Sequence, residues 1–250
     1  MFRTIAATLV LAVPAGAETG RTFFDSFDEV SESRWFISDG WLNGGHQNCT
    51  WTDEAIAASD SVLSVGFLLK PFGERSYGCG ELQTREKFSY GVFEARLKTP
   101  TGSGLNAAFF TYVGPPNSPR HDEIDVEILL ANTSQVSLNT YVGARPVNGG
   151  VATIRNGTSD SAYHIYSVIW QPSGVHWYVD GELVHRAGGP VPREPQSIFF
   201  SLWGSDTLDD WMGPFQRPHH DLYMSVDWVA YTKLGEPCQF PESVLCSLKK

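Results

Sequence analysis

The sequence predicts an all-β protein in which two antiparallel sheets pack face to face as a sandwich. Only 18% of the 250 residues are charged, and the chain holds 24 Gly, 15 Pro, 15 Phe, 9 Tyr and 8 Trp. This composition is typical of many short strands joined by tight turns. Apolar residues also recur at every second position, and no stretch keeps the period of a helix between capping residues. Such sheets bury one apolar face each and leave the other for solvent or ligand.

Eight segments have the alternation of a β-strand: 88–98, 106–113, 123–129, 136–142, 163–170, 175–179, 198–203 and 223–231. The dipeptide Asp180-Gly181, which follows the sixth segment, predicts a two-residue hairpin turn into 182–185. No internal repeat, low-complexity stretch or charge run follows Glu18. We therefore expect one domain over residues 18–250.

The first 17 residues have the features of a secretory signal peptide. A single Arg3 precedes an apolar run over 5–13, and the small residues Ala15-Gly16-Ala17 follow Pro14. The apolar run is too short for a membrane anchor, because about 20 residues are needed to cross a bilayer. We expect residues 1–17 to be removed on export and the mature protein to be secreted, with no membrane partner.

Four cysteines fit an exported protein with disulfides. They allow three pairings, and no Cys-x-x-Cys spacing supports the alternative of a metal site. We favour pairing between sequence neighbours, Cys49 with Cys79 and Cys238 with Cys246. Through chain entropy the first bridge contributes about 3–4 kcal/mol.

Charge and motif spacing exclude several classes of function. The chain has 18 Lys and Arg against 28 Asp and Glu, a net charge of −10 that repels a polyphosphate and excludes nucleic acid as a partner. The seven His residues lack zinc-ligand spacing, and neither a Gly-x-Ser-x-Gly elbow nor a phosphate-binding glycine loop is present. We expect a monomer that needs no cofactor for its chemistry.

The most informative segment is HDEIDVEI, over residues 121–128. On a strand its isoleucines and valine point to one face, whereas Glu123, Asp125 and Glu127 share the other. A solvated outer strand is the simplest alternative interpretation. Such a strand usually carries lysines among its acids, and none is present here. The three carboxylates repel one another, a cost that favours a functional role.

Glu123 and Glu127 are suitably placed for a pair of catalytic carboxyl groups. Their Cα atoms lie about 13 Å apart on a strand, at about 3.3 Å per residue. Leaning together, the two side chains reach the separation of about 5–5.5 Å that retaining glycosidases use. Asp125 lies between them, and mutual repulsion raises the pKa of one member so that a protonated acid persists near neutral pH. Alternation alone leaves open which glutamate has which role.

A carbohydrate ligand also accounts for several aromatic residues. Trp203 and Trp211 flank a loop rich in Asp and Gly, and Trp41 and Asn43 lie in a similar segment, DGWLNGG. Indole faces pack on the apolar faces of sugar rings, whereas polar edges and amides bind hydroxyl groups. These residues are therefore candidate sugar contacts.

Ordered matches along the mature chain resemble the bacterial glycoside hydrolases of family 16. The matching segments are FFDSF (23–27), QNCTW (47–51), CGE (79–81), YGVFEARLK (90–98), FFTYVGP (109–115), DEIDVE (122–127), NTY (139–141), HWYVDGELVH (176–185) and DDWMG (209–213). The resemblance implies a concanavalin A-like β-jelly roll with a substrate cleft on the concave face, and hydrolysis with retention of configuration. By motif position Glu123 matches the nucleophile, Asp125 the assisting carboxylate and Glu127 the acid/base.

The spacing of these acids resembles the branch that acts on mixed β-1,3-1,4-glucans, because the β-1,3-glucan branch usually carries one extra residue there. Positions that match the cleft of that branch are Trp41, Asn43, Glu81, Tyr112, Asn139, Tyr141, Trp203 and Trp211, and Cys49 with Cys79 matches its disulfide. Three cleft positions depart: His121 stands where those enzymes usually have Trp, Gln83 where they have Arg, and Ser201 where they have Asn.

These departures resemble the endo-β-glycanases that cut succinoglycan-type bacterial exopolysaccharides. The segments are SPRHDEID, GCGELQTRE and FFSLWGSDTLDDWMG, and the tail GEPCQFPESVLC supports the Cys238–Cys246 pair. The resemblance implies an endo-acting hydrolase with a polysaccharide substrate. Asp227 matches a residue that helps hold a structural Ca²⁺ remote from the cleft, the alternative being a solvated carboxylate at a strand end.

Two other functions compete with hydrolysis. A non-catalytic, lectin-like sandwich has no need of two glutamates that flank an aspartate. A transglycosylase passes the covalent glycosyl-enzyme to a sugar instead of water, and it shares the same carboxyl groups.

Overall fold

The computed structural model describes residues 19–248, so the predicted signal peptide lies outside the described residues. The strands are β1 (Phe23–Asp25), β2 (Trp35–Ile37), β3 (Cys49–Trp51), β4 (Ile56–Ser59), β5 (Val62–Leu68), β6 (Tyr77–Thr84), β7 (Gly91–Lys98), β8 (Leu105–Val113), β9 (Asp122–Leu129), β10 (Gln135–Val142), β11 (Gly150–Thr153), β12 (His164–Gln171), β13 (Gly174–Val179), β14 (Glu182–Gly188), β15 (Ser197–Gly204) and β16 (Leu222–Lys233). There are also two one-turn helices, α1 (Asp209–Met212) between β15 and β16 and α2 (Val244–Ser247) after β16, and a 3-10 turn covers Asp53–Ala55. Within residues 19–248 no helix is long and apolar enough to cross a membrane.

Strand β6 divides one long path of paired strands into two sheets. Its first part pairs with β5 through Cys79 and Phe67, and its second part pairs with β15 through Glu81 and Ser201. The front sheet has the order β11-β10-β9-β8-β15-β6, with β2 also beside β6. The back sheet has the order β5-β16-β7-β12-β13-β14, with β1 beside β16 and β4 beside β5. The pairings are antiparallel except that β3 runs parallel to β6.

One hydrophobic core fills the space between the two sheets. Phe109 and Phe200 of the front sheet and Phe93 and Trp170 of the back sheet are buried in it. Full burial of such a side chain contributes about 1.5–3 kcal/mol. The indole Nε1 of Trp177 in the back sheet donates a hydrogen bond of 3.0 Å to the carbonyl oxygen of Asp125 in the front sheet. The predicted all-β jelly-roll sandwich is therefore confirmed.

The eight predicted strands all form, with ends that differ by a few residues. The predicted hairpin turn also forms: Asp180 has φ 51° and Gly181 has φ 78°, the left-handed conformations that a type I′ turn requires. Strands β1 to β6 and β11 were not predicted from the sequence pattern. Five of these are only three or four residues long, whereas β6 hides its alternation behind two glycines in YGCGELQT.

Both predicted disulfides are present. Cys49–Cys79 joins β3 to β6, with the Cα atoms 5.7 Å apart. Cys238–Cys246 closes a loop of the C-terminal tail. The tail is held on the back sheet by the buried Glu94, whose carboxylate accepts hydrogen bonds from Ser243 and from the backbone N–H of Val244. Burial raises the pKa of Glu94, and these hydrogen bonds oppose the rise.

Candidate active site

The outer face of the front sheet forms a cleft of about 740 Å³. Strands β2, β6, β8, β9 and β15 all contribute to its lining, because every second side chain of a strand points to the same face. The predicted site residues that line it are Trp41, Asn43, Glu81, Gln83, Tyr112, His121, Glu123, Asp125, Glu127, Ser201 and Trp203.

The three acids of β9 lie on the cleft face, as their alternation predicted. Glu123, Asp125 and Glu127 line the cleft, whereas the apolar residues between them are buried in the core. Strand β9 lies between β8 and β10, so it holds the acids within the front sheet rather than at its edge. The backbone ladder on both sides fixes their spacing.

Asp125 is buried between two acids. Only 3% of its surface is exposed, and it shares a hydrogen bond with Glu123. Burial, followed by the negative charges of Glu123 and Glu127, raises the pKa of Asp125 well above the usual range of a carboxyl group. The raised pKa favours the protonated form of Asp125, whose proton can be shared with Glu123.

Glu127 has the protonation behaviour of a general acid. Burial raises its pKa to about 7, although the amide of Asn106 opposes the rise by donating a hydrogen bond of 2.8 Å to Oε1. The charge of Glu123 raises the pKa further. In weakly acidic solution Glu127 thus keeps the proton that a leaving group needs.

His121 makes a direct contact with Glu123. The ring Nε2 lies 2.6 Å from Oε2 of Glu123, and this hydrogen bond raises the pKa of His121. The ring also stacks on Tyr141, with centroids 5.3 Å apart and an angle of 19°, and meets Tyr112 edge-on. The sequence identified His121 as a departure from the family pattern, but it gave no sign of this hydrogen bond.

Glu81 adds a fourth carboxyl group on β6. It is 3% exposed, and its Oε1 accepts a hydrogen bond of 2.7 Å from the hydroxyl of Ser38. Burial raises the pKa of Glu81 to about 7. The cleft therefore contains two carboxyl groups, those of Glu81 and Glu127, with a pKa of about 7.

The walls of the cleft carry exposed indole rings. Trp41 is 42% exposed and meets Trp51 edge-on. Trp203 lines the cleft, and Trp211, which is 41% exposed, lies with its ring centroid 6.2 Å from that of Trp203. Exposed rings beside a cleft are typical sugar-binding surfaces.

The loop that carries Asn43 is held by the first disulfide. Gln47 accepts a hydrogen bond from the backbone N–H of Asn43 and donates one of 3.2 Å to the sulfur of Cys79. Gln47 is 1% exposed, so this link is shielded from water. The disulfide thus helps to position one wall of the cleft.

Three predicted site residues lie beside the cleft rather than in its lining. Asn139 and Tyr141 are on β10, opposite Asp125 and Glu123 in the strand register, and Trp211 is on α1. The charges of the three β9 acids contribute to a raised pKa of Tyr141, after burial as the larger cause. These residues extend the site towards β10 and α1.

The aromatic floor of the cleft was not predicted from the sequence. Phe110 and Phe199 stack with centroids 4.8 Å apart, and both line the cleft. Each lies two residues before a residue that was identified, Tyr112 on β8 and Ser201 on β15. The period of two along those strands was the signal that could have found them.

Asp227 lies on β16 of the back sheet, remote from the cleft lining. Its carboxylate forms an ion pair with Arg96, and the part of the chain from 19 to 248 contains no cluster of three or more His, Cys, Asp or Glu side chains that could hold a metal. A guanidinium on the carboxylate opposes Ca²⁺, which prefers several oxygen ligands. The side chains around Asp227 therefore do not form a carboxylate-rich site for Ca²⁺. Calcium binding stays a prediction, and the proposed chemistry does not use it.

Comparisons with known proteins all indicate the same family. The sequence pattern of the glycosyl hydrolases family 16 matches residues 43–230. The endo-1,3-1,4-beta-glycanase ExoK of Rhizobium meliloti is 47% identical over 232 residues, which cover 92% of this chain and 86% of that protein. A beta-glucanase of Bacillus subtilis is 34% identical over 219 residues, 88% of this chain and 89% of its own.

Solved structures give the same result. The Bacillus licheniformis beta-glucanase superposes with a TM-score of 0.82 at 30% identity, covering 86% of this chain and 100% of its own. A beta-1,3-1,4-glucanase from a mouse hindgut metagenome has the same TM-score and coverage at 34% identity. On the sequence match, the fold and the β9 acids together, the chain belongs to the glycosyl hydrolases of family 16.

Proposed function

We propose that this glycoside hydrolase is a secreted endo-β-glycanase that cleaves internal bonds of a β-1,3/1,4-linked polysaccharide with retention of configuration. The observation that carries the proposal is the row of Glu123, Asp125 and Glu127 on the cleft face of one strand. The names of the relatives, endo-1,3-1,4-beta-glycanase and beta-glucanase, support the substrate class.

In the first step Glu123 acts as the nucleophile. Its carboxylate attacks the anomeric carbon, and the bond from that carbon to the leaving oxygen breaks. Glu127 donates its proton to that oxygen, and the raised pKa of Glu127, about 7, supports this role. The products of the step are a shortened chain and a glycosyl ester of Glu123.

In the second step Glu127 acts as a base. It takes a proton from water, whose oxygen attacks the anomeric carbon and releases Glu123. Asp125 is the assisting group: its hydrogen bond to Glu123 holds that side chain, and its buried proton moves towards Glu123 when the ester breaks. His121 holds the other side of Glu123.

The exposed indoles and the departures at three cleft positions support a substrate of the exopolysaccharide type. Trp41 is exposed and Trp203, although partly buried, lines the cleft, so both are suited to stacking on sugars. His121, Gln83 and Ser201 line the cleft in place of the residues usual in mixed-linkage glucanases. At position 83 a neutral glutamine stands where those enzymes usually have a positively charged arginine. We infer a subsite that differs from one built for unsubstituted glucose.

Export and a monomeric state belong to the same proposal. The signal-peptide features of residues 1–17 and the two disulfides support secretion into an oxidising compartment. One chain supplies all the acids of the cleft, so the proposed chemistry needs no second subunit.

The test compares Glu123→Gln and Glu127→Gln with Glu74→Gln, an exposed glutamate outside the cleft lining. The substrates are succinoglycan, lichenan, barley β-glucan and laminarin, with linkage analysis of the products. We expect both cleft variants to lose depolymerisation by at least about a thousandfold while they unfold at temperatures close to wild type. Full activity in either variant contradicts the assigned roles, and strong cleavage of laminarin alone contradicts the substrate class.

The same products distinguish the alternatives. Added oligosaccharide acceptor shifts a transglycosylase to longer products, whereas a hydrolase continues to release short ones. A lectin-like protein binds the polysaccharides and cleaves none of them.

A further inference from the structure

A second groove, of about 1130 Å³, adjoins the cleft. We call it the side groove. Lys87, Val113 and Asn117 line both spaces, so the two are continuous. The contact lies where β6 and β8 end and β15 begins, and the side groove leads away from the β9 acids past residues 19–21 and 117–119.

The side groove is basic on a protein that is acidic. Arg21, Arg85, Lys87 and Lys233 line it, against two acids, Glu86 and Glu194. Among the ion pairs formed within residues 19–248, none includes any of the four basic side chains. The whole chain carries a net charge of −10, so such a cluster of unpaired cations does not follow from composition.

Backbone contacts hold the basic residues in place. The carbonyl of Lys87 accepts a hydrogen bond of 2.8 Å from Gly20, and the backbone N–H of Lys233 donates one of 3.0 Å to Thr22. The guanidinium of Arg85 donates to the carbonyl of Glu32. These contacts join the N-terminal segment to both sheets, so the groove is part of the fold.

The charges of the cleft and of the side groove are opposite. The cleft is lined by acids, and the carboxylate of the nucleophile Glu123 repels an anionic group on a bound glycan. An anionic group is therefore accommodated only where it is directed away from them and meets positive charge. The side groove supplies that place, at the end of the cleft lined by Lys87.

We propose that the side groove binds a carboxylate-bearing side chain of the polysaccharide while the main chain lies in the cleft. The proposal rests on the proposed function, because continuity with the cleft makes the glycan the source of the anion. Lysine and arginine side chains that form no ion pair within the protein attract carboxylates, and the attraction weakens as salt increases. Arg85 and Lys87 are the specificity-determining residues nearest the cleft.

The test measures kcat/KM for the double variant Arg85→Gln/Lys87→Gln. The substrates are a bacterial exopolysaccharide with carboxylated side chains and the same polymer after chemical reduction of its carboxyl groups. Two exposed charge contacts correspond to roughly a fivefold effect. We expect the ratio of kcat/KM for the acidic polymer to that for the reduced polymer to fall about fivefold at low salt and to recover towards wild type in high salt.

Lys98→Gln is the control, because it makes the same type of charge change on β7, outside both grooves. An unchanged ratio in the double variant, or a fall no larger than with Lys98→Gln, overturns the proposal. Calorimetric titration of each polymer into the same proteins, each also carrying Glu123→Gln, keeps the test independent of catalysis. If neither polymer is cleaved, the proposed function fails. Even then, weaker binding of the acidic polymer alone by the double variant supports the side groove, whereas binding of the acidic polymer equal to that of the protein with Arg85 and Lys87 intact overturns it.

Discussion

Replacement of Asn106 by alanine should move the alkaline limb of the pH–activity profile upwards. Asn106 is fully buried, and its amide donates to Oε1 of Glu127 at 2.8 Å. This bond stabilises the ionised form of Glu127 and so opposes the effect of burial on its pKa. Without the donor, the carboxylate loses a partner and the neutral acid is favoured.

The size of the shift follows from the strength of that hydrogen bond. A hydrogen bond to a charged group contributes about 1.5–3 kcal/mol, and a change of one pH unit corresponds to about 1.4 kcal/mol. The limb should therefore move up by about 1–2 pH units from its position near pH 7. Above that position the variant keeps the proton of Glu127 where the wild type has lost it.

The assay is kcat/KM on a soluble β-glucan from about pH 5 to about pH 10, well below the unfolding temperature, because this ratio reports the protonation of the free enzyme. Asn132→Ala is the control, since Asn132 is exposed in a turn and bonds to Gln135. The control should leave the limb in place. An alkaline limb that stays fixed or moves down in Asn106→Ala refutes the assignment of Glu127 as the acid.

Two further predictions concern stability. The pKa of Glu81 is about 7 in the folded protein against 4.5 for an ordinary glutamate, so the folded protein holds this proton more tightly than the unfolded chain. The stability that results is complete below about pH 4.5 and is lost as the pH rises through about 7. Glu81→Gln should therefore gain up to about 3 kcal/mol over wild type at pH 8, or about 6–12 °C in Tm, and little at pH 4; a Tm difference independent of pH contradicts this. The double variant Cys49→Ser/Cys79→Ser opens a bridge with a sequence separation of 30 and should lower the free energy of unfolding by about 3–4 kcal/mol, measured by thermal unfolding. Cys238→Ser/Cys246→Ser opens a bridge with a separation of only 8 and should cost less. Equal losses of stability in the two variants contradict the loop-entropy explanation.

Sequence reasoning succeeded where a strand's alternation decides the outcome. The acids of β9 share the cleft face because side chains alternate along any strand, whatever the surrounding fold. The hairpin at Asp180 and Gly181 was predictable for a similar reason, since its turn type depends on two adjacent residues.

Features that depend on distant segments were not predictable. Asp122 belongs to the same acidic run as Glu123, yet it is fully buried and accepts hydrogen bonds from the backbones of Gly143 and Arg193. The contact of His121 with Glu123 depends on side-chain rotamers. The side groove combines residues from opposite ends of the chain, which only the folded sheets bring together.

The central claim is that Glu123 and Glu127 act as nucleophile and acid/base in a double displacement. The most direct measurement is the configuration of the first sugar product, followed by proton NMR before mutarotation is complete. Two successive inversions at the anomeric carbon predict that the β-anomer forms first and then converts to the equilibrium mixture. Initial release of the α-anomer means a single displacement by water and contradicts the claim.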